Sequence, residues 1–336
     1  MNKLMKVGAS ALCGSLAAVA SASAGELTVK GGATATWSSN SGDVTGNPIG
    51  MASAYTFTGS GELDGGTTFT LTIAHGDQTT YSASEIALVT PTMGTITIDQ
   101  SGGGIDRLDN MMPTAWEEST GTSLGTGIVN VTGVSGAGHI EWSLPADVLP
   151  DGLSAHVAWA PRASGGYTND KATGGGGSEG VGSGTDVVLQ YSGIADGLSV
   201  FGGYSVIDQV ANMHDGDRTQ KVLGATYAVG PVTVGYQWSK DARHVNLGTG
   251  TSFYENEAFG VNFAVNDDLS ISWGSNKSDR SKNGGSAIVE TKAESLQIGY
   301  SMGGATLSIA ETNGENLVYN TANDKDATTV ALSLAF

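Results

Sequence analysis

The chain has 336 residues, with 15 basic against 33 acidic side chains (net charge −18), 51 glycines and one cysteine. So large an acidic excess excludes nucleic acid as a partner, because holding phosphates requires basic surface, and it excludes a polybasic attachment to anionic lipid. Glycine at about twice the usual share of roughly 7%, with charged residues at only 14%, suits strands joined by tight turns.

At the amino end, Lys3 and Lys6 precede a small apolar stretch over 7–20, and Ala22-Ser23-Ala24 follows as an A-x-A cleavage pattern. These features predict a signal peptide over 1–24 and a single domain over 25–336. The apolar stretch is shorter than the roughly 20 residues a spanning helix needs. Leu12 ahead of Cys13 does not suit a lipoprotein site, so Cys13 leaves with the peptide and the remainder holds neither a disulfide nor a thiolate metal site. Losing Lys3 and Lys6 takes the net charge from −18 to −20. No later window is apolar and long enough for a spanning helix, so any membrane residence must be as a barrel.

From there one pattern recurs, a run of about ten residues with period two and then a turn, as membrane barrel strands show. Tyr55, Phe57 and Leu63 alternate with small and polar residues, as do Phe69, Leu71 and Ile73. Leu153, Val157 and Trp159 continue the pattern, followed by Val232, Val234, Tyr236 and Trp238, by Phe259, Val261, Phe263 and Val265, and by Leu296, Ile298 and Tyr300. Short turns at Asp64-Gly65-Gly66, Thr92-Met93-Gly94, Ala195-Asp196-Gly197, Gly230-Pro231, Asn266-Asp267-Asp268 and Gly303-Gly304 take turns with longer polar stretches near 38–50, 76–81, 101–137, 162–184, 207–218, 240–252, 277–287 and 313–326. Short connections on one side and long ones on the other predict an all-β, antiparallel up-and-down transmembrane barrel of about sixteen strands with a water-filled lumen. A secreted β-sandwich or β-helix adhesin is the soluble alternative. The β-helix lacks its fixed repeat here, and the aromatics that end many apolar faces (Trp37, Trp159, Trp238, Trp273, Tyr300) fit interfacial girdles better than a sandwich core.

The last strand places Val330, Leu332, Leu334 and the terminal Phe336 on one face. This end, with the start Gly25-Glu26-Leu27-Thr28-Val29-Lys30-Gly31-Gly32, resembles the Gram-negative general diffusion porins, especially the alphaproteobacterial kind. The resemblance implies a sixteen-stranded homotrimeric barrel in the bacterial outer membrane, in contact with its lipid, and passive diffusion of small hydrophilic solutes and ions. It also implies that the third long loop folds into the lumen and narrows the pore.

That position falls on 101–138, between Ile96 and Ile98 on one side and Ile140, Trp142 and Leu144 on the other. The segment carries Asp106, Asp109, Glu117 and Glu118 against Arg107, with Met111, Met112, Pro113 and Trp116 as wall anchors. Carboxylates around a narrow path favour cations. Alternation turns Lys30, Glu62, Glu85, Asp99, Glu141, His156, Gln190, Gln237, Asn262 and Gln297 toward the lumen, while Arg162 and Arg243 sit at strand ends. The basic wall that porins set against the loop is therefore thin here. No cofactor is expected. Asp208, Asp215 and Asp217 share one loop and hold the potential for Ca²⁺, but their spacing matches no calcium loop. The five histidines form no nucleophile–base pattern, so the chain reads as a channel and not an enzyme. A substrate-selective outer-membrane channel is the alternative within the same class, although most aromatics point outward and make no lumenal track.

Overall fold

The computed structural model describes residues 25–41, 47–77, 83–100, 102–122, 124–164, 180–210, 214–245, 250–284 and 287–335. The expected signal peptide, the glycine tract at 174–177 and Phe336 lie outside the described residues. The strands are β1 (Glu26–Asn40), β2 (Ile49–Glu62), β3 (Thr68–Gly76), β4 (Ala83–Thr90), β5 (Gly94–Asp99), β6 (His139–Ser143), β7 (Leu153–Ala160), β8 (Val181–Tyr191), β9 (Leu198–Gln209), β10 (Arg218–Val229), β11 (Val232–Ala242), β12 (Thr251–Ala264), β13 (Leu269–Lys282), β14 (Val289–Met302), β15 (Ala305–Glu315) and β16 (Lys325–Ala335). Each pairs antiparallel with its neighbour in sequence. The sheet closes where β1 meets β16, from Gly32 opposite Ala335 to Asn40 opposite Ala327, so no edge strand remains. Among the described residues no helix is long and apolar enough to cross a membrane; the strands are the only elements able to do so.

Period-two alternation sorts the side chains between the two faces. Val29 lies opposite Phe57 and Phe57 opposite Ile73 on the outer surface, while Lys30, Thr56 and Ala74 form the neighbouring row inside. The outer face leaves Met51, Leu223 and Leu296 79%, 63% and 54% exposed. A soluble protein would not carry so continuous an apolar girdle; facing acyl chains it requires no cover. Trp37, Trp159, Trp273 and Tyr300 are exposed on the same face.

Several strands outrun their sequence-based limits. β13 continues to Lys282 and β11 to Ala242, where the alternation predicts loops from 277 and 240. The reason is geometric. A strand of 14 residues, rising about 3.3 Å per residue and tilted by about 40°, spans about 35 Å, against an apolar belt of about 25 Å. Above the belt the outward positions become Lys240, Glu257, Lys277, Lys292 and Glu294, so apolar contrast vanishes while the ladder continues. Glu257 faces Lys277 and Lys277 faces Lys292 across that ladder, and Lys240 Nζ donates to Glu255 Oε2 at 2.8 Å. The short turns all gather at one rim and the long connections at the other. At the short-turn rim, Asn266 Oδ1 accepts from the amides of Asp268 and Leu269, both at 2.9 Å, which is why an Asn-Asp-Asp tract turns there.

Candidate pore constriction

The connection between β5 and β6 does not extend from the rim. It turns inward and lies against the inner wall from β6 around to β15. A segment without regular pairing must find partners for its backbone groups elsewhere, and inward side chains supply them. Glu141 Oε2 on β6 accepts from the amide of Gly104 at 2.6 Å. The fully buried Asp186 on β8 accepts from Ile105 at 3.0 Å and Val134 at 3.1 Å, joining the two ends of the loop at one carboxylate. Gln220 Oε1 on β10 takes the amides of Thr132 and Gly133 at 2.8 and 2.7 Å. Asn256 Nδ2 donates to the Val129 carbonyl at 2.9 Å. On β14 a single amide side chain holds Glu117 at both backbone groups, with Gln297 Oε1 accepting from its N–H at 3.1 Å and Nε2 donating to its carbonyl at 2.6 Å. Glycine clears the path: a Cβ on Gly260 would stand 2.8 Å from the Pro113 carbonyl oxygen, and one on Gly299 would stand 2.6 Å from that of Ala115.

Between the loop and the wall lies an apolar cluster. Ile105, Leu108, Met112 and Val131 from the loop pack against Val188, Phe201, Val222 and Ala258 from the wall. Of the expected anchors, Met112 and Pro113 are pressed into the wall, with Met111 against the same cluster.

The four loop carboxylates fall into different settings. Asp106, in the 3-10 turn Gly104–Leu108, accepts from Ser135 Oγ at 3.0 Å, and burial raises its carboxyl above the ordinary range. Asp109 is half-buried and receives Asn110 Nδ2 at 2.7 Å. Burial first, and then the charges of Asp106 and Glu118, push it up to about 7. Glu117 is exposed to the lumen, and enclosure by the surrounding protein raises it. Glu118 is a brace, with Oε1 accepting from the amide of Met112 at 3.0 Å and Oε2 from Asn276 Nδ2 at 3.3 Å, and burial raises it too. Arg107 is paired with Glu141 of the wall. Asp99 and Glu141 are buried under the root of the loop, and beside them His156 Nδ1 lies 2.8 Å from Ser143 Oγ and 3.6 Å from Glu141 Oε1. Lys30, Glu62 and Glu85 are on the inward face of β1, β2 and β4. Asp208 and Asp217 meet protein donors, Ser183 Oγ at 2.5 Å and the Gln209 amide at 3.2 Å.

The Gram-negative porin family matches the sequence over residues 8–336. The chain belongs to the Gram-negative porins. It is therefore a channel of the bacterial outer membrane, in a family and fold of non-enzymatic pores. Among solved structures, OmpF of Salmonella typhi in complex with daunomycin superposes with a TM-score of 0.69 at 12% identity, covering 93% of this chain and 98% of that one. The trimer form of OmpT from Vibrio cholerae gives 0.66 at 11% identity, covering 93% and 100%. A mutant Rh. blastica porin gives 0.57 at 14%, covering 92% and 100%. At such identities the likeness is one of fold. No curated protein matches the sequence of this porin.

The loop leaves only one part of the wall uncovered. Among the described residues, no inward side chain of β1 to β4 is buried, whereas β8 to β15 bury Asp186, Ser205, Gln220, Asn276, Gln297 and Thr312. The open path of this porin therefore runs along β1–β4, whose inward rows include Thr28, Thr34, Thr36, Thr58, Thr70 and Thr72, with Lys30, Glu62 and Glu85 as their charged members. The residues that position the loop, Asp186, Gln220, Asn256 and Asn276, escaped the sequence reading. Their signal is an amide or carboxylate at an inward position in mid-strand, which alternation places in the lumen without saying that a loop covers it.

Proposed function

We propose that this porin is a trimeric, cation-preferring diffusion pore for small hydrophilic solutes, exported by a signal peptide cleaved after Ala24 and working without a cofactor. The observation that carries the reading is the excess of carboxylates over free cations along the open path. On the loop side stand the lumen-exposed Glu117 and the half-buried Asp106 and Asp109, while Arg107, the loop's one cation, is tied to Glu141. The facing wall of β1–β4 offers mostly hydroxyls, with Lys30 as its one inward cation among the described residues and Glu62 and Glu85 as further carboxylates. Carboxylates along a confined path raise the local cation concentration and repel anions. The apolar belt supports outer-membrane lipid as the surrounding partner, and the trimer form of a structural neighbour supports a threefold assembly.

The test is conductance of the purified mature protein in a planar bilayer under a KCl gradient. Steps in groups of three with a cation-selective reversal potential are expected. An anion-selective potential overturns the assignment of selectivity to the loop, and protein that makes no steps overturns the open path.

A further inference from the structure

The described cations are unevenly placed. Lys221, Lys240, Lys277 and Lys292 point outward above the apolar belt. Arg218, Arg243 and Arg280 instead gather on the inner face of β10–β13 at the long-loop rim, above the constriction. They are organised around one carboxylate and two rings. Asp241 is fully buried, in register opposite Gln220 on one side and Tyr254 on the other, and Tyr254 is opposite Arg280. Arg218 grips Asp241 with Nε on Oδ1 at 2.7 Å and Nη2 on Oδ2 at 2.8 Å, and Arg243 Nε reaches Oδ2 at 2.8 Å. Arg243 also lies over the Tyr254 ring at 4.8 Å, Tyr254 meets Tyr319 at 5.4 Å between centroids, and Arg280 lies over Tyr319 at 4.5 Å. Stacking on a ring fixes the plane of a guanidinium while leaving its outer N–H groups available.

Among the described residues Arg218 and Arg243 share one aspartate and Arg280 stands beside them without one, so the cluster keeps a positive surplus in a chain of net charge −18. Its donors are not used up. Arg243 engages Asp241 through Nε, its side chain is 31% exposed, and among the described residues its Nη groups have no hydrogen-bond partner. Arg280 meets no carboxylate among the described residues; Nη2 donates to the Tyr319 carbonyl at 3.2 Å, and its buried Nε has no hydrogen-bond partner. The fork that Arg218 forms around Asp241 shows which chemistry these groups suit, a planar carboxylate.

The same strand leads down to the acidic loop. Asn276 on β13 donates to Glu118, and Arg280 follows four residues later on the same face. At about 3.3 Å per residue that separation is about 13 Å along the strand. A simple anion attracted by the arginines would then meet the loop carboxylates and be turned back. A solute with a carboxylate at one end and an ammonium at the other, spaced by three or four residues of extended chain, satisfies both regions at once and carries no net charge to be turned back by the acidic loop.

We infer that Arg218, Arg243 and Arg280 form a carboxylate-capture site at the long-loop mouth of the pore, which takes the carboxyl end of short zwitterionic peptides as their amino end reaches the acidic loop. This deepens the diffusion-pore reading and rests on it. The site is positional and needs no closure of the loop.

The test compares tetraglycine with tetraglycine amide as blockers of KCl current through single pores, each added to either side in turn. The amide differs by the loss of its carboxylate and carries a net positive charge. An acidic, cation-preferring pore without a capture site admits the amide faster. The expected result is the reverse from one side of the bilayer, with the free acid entering about tenfold faster, the scale of electrostatically steered entry. The R243Q/R280Q variant is expected to lose that order, and the R243K/R280K variant to retain part of it. Faster entry of the amide from both sides in the wild-type pore overturns the capture site, even if the glutamine variant fails to assemble. Equal orders in wild type and R243Q/R280Q overturn it as well. A missing conductance step, or an anion-selective KCl potential, instead overturns the underlying pore reading.

Discussion

Neutralising Glu117 is the sharpest test of selectivity, because among the loop acids it alone is exposed to the lumen. Its backbone is held by Gln297 through both N–H and carbonyl, so Glu117→Gln removes a charge without releasing the loop. A permeating ion passing about 5 Å from a carboxylate in water feels about 0.8 kcal/mol. Screening at 0.1 M salt, where the Debye length is about 10 Å, leaves about 0.5 kcal/mol. The effect has opposite sign for K⁺ and Cl⁻, so their permeability ratio changes by about fivefold. At 1 M the Debye length is about 3 Å and the change shrinks to less than about twofold. Reversal potentials at matched gradients centred on the two salt concentrations measure this directly. Enclosure raises the Glu117 carboxyl above the ordinary glutamate value, so the wild-type pore loses this share of its selectivity on acidification before a free glutamate would, and E117Q lacks that step. A ratio unchanged by E117Q at low salt, or changed equally at both concentrations, refutes the reasoning.

Three further outcomes follow from the geometry. Asp109, pushed up to about 7 from 3.8, binds its proton more tightly in the folded chain; that stabilisation is complete below 3.8 and is lost as the pH rises through 7. Asp109→Asn is therefore expected to raise the melting temperature of the detergent-solubilised protein at pH 8 and to leave it nearly unchanged at pH 3.5, and the opposite pattern refutes the sign. Asp186→Ala orphans the amides of Ile105 and Val134, each at about 1–3 kcal/mol; the barrel should still form, with a noisier open-channel current and faster proteolysis inside the loop, and quiet wild-type conductance counts against the double anchor. Ile298→Arg on the outer face of β14, in register between Ile271 and Ile309, is expected to cost about 2–4 kcal/mol in urea refolding into vesicles, whereas Glu294→Arg, four residues nearer the long-loop rim, is expected to cost about 1 kcal/mol or less; equal costs would misplace the lipid boundary.

The barrel was legible because its outer face obeys one rule in one solvent. Val232, Val234 and Tyr236 alternate with inward residues wherever acyl chains lie outside, and the glycine and Asn-Asp turns punctuate them at the short-turn rim. Strand ends were less legible, since at Lys277 or Glu294 the outer solvent has changed while the ladder of hydrogen bonds has not. The constriction was legible as a place but not as an arrangement. Length and position between Ile98 and Ile140 marked the loop, yet four carboxylates of one chemical type separate into an exposed acid at Glu117, a brace at Glu118, an acid bonded to Ser135 at Asp106 and a proton-holding acid at Asp109. Which is which depends on contacts with residues more than a hundred positions away, such as Asn276 and Gln297, and local sequence contains no record of those partners. The mouth arginines were missed for the same reason, as Arg218 and Arg280 gain their meaning from Asp241, Tyr254 and Tyr319 on other strands.

The inner wall nevertheless encodes where the loop must lie. A chain inside a barrel without ladder partners needs side chains that both donate and accept, which hydroxyls do poorly at a distance and amides do well. Gln220, Asn256, Asn276 and Gln297 are spread over β10, β12, β13 and β14, with Gly260 and Gly299 beside them as bare floor where the backbone comes closest. The inward rows of β1–β3 are instead mostly threonine, serine and alanine, with Lys30 and Glu62 as their long side chains, and are well suited to wet a channel. The covered wall is thus marked by mid-strand amides, with glycine where the loop comes closest and hydroxyls such as Ser272 and Thr312 between them, whereas the open wall lacks those amides. The pore's cross-section follows from which strands carry those amides, and the loop's acids face the open side because the amide-bearing part of the wall holds the loop there.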